Sequence, residues 1–112
     1  MGLFPMNVGG GGTISYVTYK DLNNSTVTLD GTYSGKYLLI STVQSGQQSI
    51  SNAPTVTNGT VQFTRNEPVT LIGGNYMSQG YSFIELTNGT ITSNATNADI
   101  RHHNAILFKI DD

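Results

Sequence analysis

Apolar and polar residues alternate along much of the chain. In residues 25–30 the apolar Val27 and Leu29 alternate with polar neighbours, and residues 60–64 alternate in the same way. Because successive side chains of a strand point to opposite faces, this pattern predicts strands with one buried face. The best helix candidate, residues 93–104, is rich in Asn and His, which have poor helix propensity, so we expect a loop there.

Eight segments carry a strand pattern, at a spacing of about ten residues. They are residues 13–19, 25–30, 36–43, 60–64, 69–72, 81–87, 90–93 and 105–110. Residues 36–43 are apolar on both alternating sets, with Leu39 and Val43 on one face and Leu38 and Ile40 on the other. This segment is therefore expected to be a central strand. Apolar residues on two faces also favour association of the domain with further copies, because one small core does not bury them all.

Three Xaa-Gly pairs separate the predicted strands, namely Asp30-Gly31, Asn58-Gly59 and Asn88-Gly89. Each suits a two-residue type I′ turn, in which both central residues have positive φ. The second and third pairs lie in a short repeat, TNGTV at residues 57–61 and TNGTI at residues 87–91, which predicts two similar hairpins. Together these signals predict an all-β fold, an antiparallel β-sandwich or jelly roll of about eight short strands.

The N-terminal residues differ from the rest of the chain. Residues 1–12 place the apolar Leu3, Phe4, Pro5, Met6 and Val8 before four consecutive glycines. We interpret this segment as an extended docking arm on a glycine tether, with the sandwich domain in residues 13–112. Met and Phe suit an apolar groove of a partner protein because they fill irregular gaps. The alternative is that the segment folds back on its own sandwich as an edge strand.

Composition excludes several classes of partner. Only 11% of the 112 residues are charged, with five basic and seven acidic residues and a formal net charge of −2. This balance offers no basic surface for nucleic acid. No apolar run approaches the roughly 20 residues of a membrane span, and the N-terminus lacks the basic and apolar regions of a secretion signal. We therefore expect neither nucleic-acid binding nor a membrane span.

Candidate chemistry is sparse. His102 and His103 are adjacent, so in an extended segment they point to opposite faces and cannot hold one metal ion together. The chain has no cysteine, its carboxylates show no spacing that pairs them, and no GxSxG motif is present. We predict no catalytic residues, no metal site and no cofactor, and hence a protein that is not an enzyme.

A weak carbohydrate-binding signal lies in residues 73–81. Asn75, Tyr76, Gln79 and Tyr81 occur in a segment flanked by glycines, where aromatic rings would pack on a sugar and amides would donate hydrogen bonds. The competing interpretation is that Tyr76 and Met77 cover the end of the sandwich or fill a subunit interface.

The LFPM segment, the GGGG tether, the Ser/Thr/Asn/Gly-rich β domain and the terminal NAILFKI together resemble small virion proteins of tailed bacteriophages, of the head-decoration, head-fibre and tail-fibre-tip types. This resemblance implies a β-sandwich, commonly trimeric, that decorates or extends a particle without enzymatic activity. It implies synthesis in the host cytoplasm and a location in the virion, on a capsid or tail partner. The alternative function is a carbohydrate- or receptor-binding module of a tail fibre that contacts the host surface.

Overall fold

The computed structural model describes the backbone of residues 6–8 and all atoms of residues 12–47, 50–71, 73–96 and 99–111. This part of the chain forms nine β-strands and no helix. The strands are β1 (Met6–Val8), β2 (Gly12–Leu22), β3 (Thr26–Thr28), β4 (Tyr33–Ser45), β5 (Asn52–Val56), β6 (Gly59–Leu71), β7 (Asn75–Gly89), β8 (Ile91–Ala95) and β9 (Ile100–Asp111). The predicted all-β fold is confirmed. No helix in the described ranges is long and apolar enough to cross a membrane.

The strands form two antiparallel sheets. The large sheet has the order β1-β2-β9-β4-β7-β6, and the small sheet has the order β3-β8-β5. Strand β4 pairs with both β7 and β9, so the central position predicted for residues 36–43 is confirmed. The long strands of the large sheet extend beyond the three short strands of the small sheet that cover it.

The core lies between the two sheets. Val27 and Leu29 at β3 and Ile91 on β8 pack against the inner face of the large sheet, and all three are at most 2% exposed. The large sheet contributes alternate residues of β4, β7 and β9, namely Tyr37, Leu39, Ile84, Leu86, Ala105 and Leu107. Burial of each large apolar side chain stabilises the fold by about 1.5–3 kcal/mol.

Two predicted strands, residues 60–64 and 69–71, are parts of the single strand β6. Pro68 lies between them and lacks the N–H that a central strand needs. Because β6 is an edge strand that pairs only with β7, this proline does not interrupt it. Residue 72, the last of the predicted segment, lies outside the described residues.

The loop predicted for residues 93–104 is wrong for all of its described residues except Thr96 and Asp99, which connect two strands. Residues 93–95 belong to β8, and Ile100 to Asn104 belong to β9. Strand β9 pairs with β4 on one side and β2 on the other, and this pairing outweighs the poor strand propensity of Asn and His. The sequence pattern also missed β5, which contains Pro54 and has little alternation of apolar and polar residues.

The two TNGT segments are not hairpins. Thr57 and Asn58 join β5 of the small sheet to β6 of the large sheet. Asn88 and Gly89 are the last residues of β7, and Thr90 joins β7 to β8 in the opposite direction. Both asparagines have positive φ, 51° and 49°, but Gly59 and Gly89 do not, so neither pair forms the predicted type I′ turn. Asp30-Gly31 likewise connects β3 to β4, which lie in different sheets. At this pair only Gly31 has positive φ, so the type I′ prediction is wrong at all three pairs, and all three lie at corners between the sheets.

The two corners bind each other. The Thr57 N–H donates to the Thr90 carbonyl at 3.1 Å, and the Thr87 N–H donates to the Asn58 carbonyl at 2.9 Å. The Thr57 and Thr90 hydroxyls are 2.8 Å apart, and the Asn58 amide donates to the Asn88 carbonyl at 3.2 Å. The repeat thus closes one end of the sandwich by pairing with itself.

The backbone of Met6–Val8 forms the edge strand β1 on β2 of the same chain. Met6 lies opposite Ile14, and Val8 lies opposite Gly12. For these residues the backbone follows the alternative in which the segment folds back as an edge strand. Leu3, Phe4, Pro5 and Gly9–Gly11 lie outside the described residues, so their docking role stays a prediction.

Candidate functional site

The carbohydrate-binding candidates lie in a strand, not a loop. Only Gly73 and Gly74, with φ of 84° and 76°, belong to the turn, and Asn75 begins β7. The segment is extended because β7 pairs with β4 on one side and with β6 on the other. Strand alternation places Tyr76 opposite the buried Ser45 on the inner side.

The other three candidates face away from the small sheet. Asn75, Gln79 and Tyr81 alternate with the buried Ser78 and Ser82 along β7. The Tyr81 hydroxyl donates to Oε1 of Gln79 at 2.8 Å. Because Tyr76 lies on the opposite side of the sheet, the four side chains do not converge on one site.

A buried Ser–His pair lies between the sheets. Ser93 is 1% exposed and His103 is fully buried, with Ser93 Oγ 2.8 Å from His103 Nε2. Nδ1 of the ring lies 2.9 Å from the Asn24 carbonyl, which can only accept, so Nδ1 carries the proton and Nε2 accepts from the serine. Sequence reasoning missed this pair because the sequence does not show that β8 of the small sheet lies across from β9 of the large sheet.

Burial lowers the pKa of His103, and the Asn24 carbonyl and the Asp21 carboxylate oppose this shift. A serine hydroxyl beside a neutral imidazole is the arrangement that activates a nucleophile. Here both groups are enclosed in the core, so the pair satisfies buried polar atoms. His102, its neighbour, is exposed on the other face, as strand alternation predicts. Among the described residues no group of three His, Asp or Glu side chains could hold a metal ion.

The face of the large sheet that points away from the small sheet, here called the outer face, carries exposed apolar side chains. Two rows of side chains cross five of its strands. The first row is Phe63, Phe83, Leu38, Phe108 and Tyr16, and the second is Arg65, Tyr81, Ile40, Ile106 and Tyr19. Nine of these ten residues are aliphatic or aromatic, so the two rows form a continuous apolar band.

Side chains of this band are open to solvent. Tyr19 is 60% exposed, Phe63 52% and Phe83 41%, and Tyr16 is also exposed. Rings contact each other within the band, with Phe63 and Phe83 centroids 6.2 Å apart and Tyr16 and Phe108 centroids 6.4 Å apart. Five of the six exposed large hydrophobic side chains in the described residues lie on the outer face, and Leu22 is the exception.

Two β-bulges create the band. A bulge at Val17 lets Tyr16 and Tyr19, three residues apart, share the outer face. A second bulge at Gln62 turns Phe63 outward while Val61 packs against the core. Strict alternation would separate the two tyrosines and would place Val61 and Phe63 on the same face.

Charges on the outer face nearly balance. Lys36 lies opposite Glu85 on neighbouring strands, and Arg65 forms an ion pair with Glu67. The Gln62 amide also donates to Glu85 at 2.9 Å. With Asp21 on β2, which pairs with Asn104, these five charged residues sum to −1, so the face combines an apolar centre with a polar margin of low net charge. Such a surface suits contact with another protein surface.

The signal for this face was present in the two-sided apolar pattern of residues 36–43, which predicted self-association. The positions of the bulges, and hence of the aromatic residues, had no sequence signal. Comparisons of this chain with protein-family models, with curated proteins and with solved structures find no match.

Proposed function

We propose that this chain is a non-enzymatic structural subunit of a larger particle, of the kind that decorates a capsid or extends a tail in a virion. The observation that carries this proposal is the apolar band of the outer face. A free monomer rarely exposes contiguous apolar patches larger than a few hundred Å². A band five strands wide is expected where a protein surface is covered in an assembly.

The N-terminal segment supplies a second contact in this proposal. Leu3, Phe4 and Pro5 dock on a capsid or tail protein, whereas Met6–Val8 stay on the sandwich as β1, and the sandwich associates through its own surface. The carbohydrate-binding alternative is not proposed, because Tyr76 lies across the sheet from Asn75, Gln79 and Tyr81.

Particle incorporation tests the proposed function. Particles released by cells that produce the protein would be purified on a density gradient and analysed by mass spectrometry. We expect the protein in the particle fraction in many copies. A variant lacking residues 2–5 should remain folded by circular dichroism and be lost from the particles. A protein that is absent from every particle fraction would contradict the proposal.

A further inference from the structure

We propose that the outer face of the large sheet is covered by the same face of a second copy of this chain, in a two-fold dimer. This inference rests on the proposed function, because it names the partner that covers the apolar band. A sheet face with no covering layer is one half of a sheet-on-sheet packing, and a second sheet lies about 10 Å away in such packings.

The dimensions of the face match a stable interface. Five strands at a spacing of about 4.8 Å make it about 24 Å wide, and five same-face positions at about 6.7 Å make it about 33 Å long, or about 800 Å². A standard interface buries about 800 Å² on each partner. One complete face therefore supplies what one partner of a dimer needs.

Charge also favours an identical partner. A two-fold contact places a patch against itself, so a patch with net charge would repel its copy. Here Lys36 and Glu85 offset each other across neighbouring strands, and Arg65 is paired with Glu67, so Asp21 near the end of β2 leaves a net charge of only −1. The outer face therefore meets its copy with little like-charge repulsion.

The apolar centre supplies the attraction. Phe63, Phe83, Tyr16 and Tyr19 lose their solvent contact in the dimer, and large aromatic side chains dominate the energetics of interfaces. The face is one continuous surface, so a single partner sheet covers it. This geometry points to a pair of chains, whereas the resemblance to virion proteins implied a trimer.

Light scattering on the full chain after size exclusion tests this pairing. We expect a mass twice the 12.0 kDa of the chain, falling toward 12.0 kDa on dilution. The double variant Phe63→Lys with Phe83→Lys should be a monomer at every concentration, with an unchanged circular dichroism spectrum. Leu22→Lys is the matched control, since Leu22 is 36% exposed and lies off the outer face, and it should remain a dimer.

Tyr19→Lys serves as a second variant if the double variant does not fold, because Tyr19 is the most exposed residue of the band. A wild-type monomer at all concentrations overturns the pairing, as does a trimeric mass. A dimer that persists in the outer-face variants, or is lost in Leu22→Lys alone, overturns it as well. A monomer that still enters particles leaves the proposed function standing, whereas a dimer absent from all particles removes the proposed function only.

Discussion

Several core residues carry polar groups, and each of these groups has its own hydrogen-bond partners. His103 is the clearest case, because its ring is enclosed between a serine hydroxyl and a backbone carbonyl. In the part of the chain that the structure describes, no buried side-chain nitrogen or oxygen lacks a hydrogen-bond partner. A substitution that leaves one of these buried groups unpaired should therefore lower the free energy of unfolding by about 1–3 kcal/mol.

His103 should make stability depend on pH. Its pKa in the folded chain is below the ordinary value of 6.5, so the unfolded chain binds more protons near that pH. The contribution of His103 to the free energy of unfolding is therefore fully present above about pH 6.5. It is lost as pH drops through the folded pKa, and the loss is about 1.4 kcal/mol for each unit of difference between the folded and unfolded pKa. Urea unfolding between pH 5 and 8, where histidine is the ordinary side chain that titrates, measures this slope.

The neighbouring histidine is the control. His102→Gln should keep the slope, because His102 is exposed. His103→Gln should lower stability at every pH and remove the slope. A flat wild-type profile, or a slope that survives in His103→Gln, would show that His103 does not carry the effect.

Gly89 is required by a close backbone approach. A Cβ at this position would lie 2.1 Å from the Thr57 carbonyl oxygen, where the two TNGT corners meet. Gly89→Ala should therefore lower the free energy of unfolding by about 3 kcal/mol, at the upper end of the usual cost of overpacking.

Gly46→Ala is the comparison for Gly89. Its Cβ would meet only the ends of the Asp99 and Arg101 side chains, which are about half exposed and can move away. We expect a change within about 0.5 kcal/mol in the same thermal or urea unfolding experiment. Equal costs for the two substitutions would contradict the corner contact.

At the scale of elements, the small sheet is fastened to the large one by a polar cluster as well as by the core. Asn52 at the start of β5 is 1% exposed. Its amide nitrogen donates to the Ser41 carbonyl at 3.2 Å, and its Oδ1 accepts from the Ser78 hydroxyl at 2.7 Å. The Asn52 N–H donates to Oδ1 of Asn66 at 3.0 Å, so three strands of the large sheet hold β5 in place.

Asn52→Ala should be strongly destabilising. It removes the amide that donates to Ser41 and the oxygen that accepts from Ser78, whose hydroxyl keeps only Oδ1 of Asn66 at 3.4 Å, and an unpaired buried group costs about 1–3 kcal/mol. Asn94→Ala is the matched control, because Asn94 also donates to backbone and hydroxyl oxygens of β5 but is only partly buried. Water can replace Asn94, so we expect a loss of about 1 kcal/mol or less in urea unfolding. A similar loss of stability in the two variants would contradict the claim that the buried hydrogen bonds of Asn52 hold β5 to the large sheet.

Strand alternation and turn chemistry predicted much of the fold. The inward residues Val27 and Leu29, the central β4 and the positive φ of Asn58 and Asn88 all follow from local pattern. The local pattern does not show whether the two strands that flank a turn pair with each other or lie in different sheets. An Asn-Gly pair reverses the chain in a hairpin and in a corner alike, so the two TNGT corners were predicted as hairpins.

The outer face was predictable only in part. Leu38 and Ile40 signalled a second apolar surface, because they alternate with the core residues of β4. The aromatic residues at its two sides were not assignable, since one extra residue at Val17 and one at Gln62 reverse the alternation. A bulge depends on pairing with the neighbouring strand, which is tertiary information.

At the scale of the whole molecule, the large sheet has one face covered by the small sheet and one face that none of the described residues covers. The chain lacks disulfides, so packing and hydrogen bonds alone hold it together. A dimer through the outer face adds a second apolar layer to a small domain, and mass action then raises its stability with protein concentration.

The solvent accessibility of the outer face tests this account most directly. The chain has no cysteine, so a single thiol reports on one position. Tyr19→Cys places a thiol on the outer face, at a residue that is 60% exposed in the isolated chain, and Thr28→Cys places one on the exposed side of the small sheet. We predict that a thiol reagent labels Tyr19→Cys much more slowly than Thr28→Cys in concentrated protein, and that dilution removes the difference. Labelling of Tyr19→Cys at the rate of Thr28→Cys at every concentration would contradict the account.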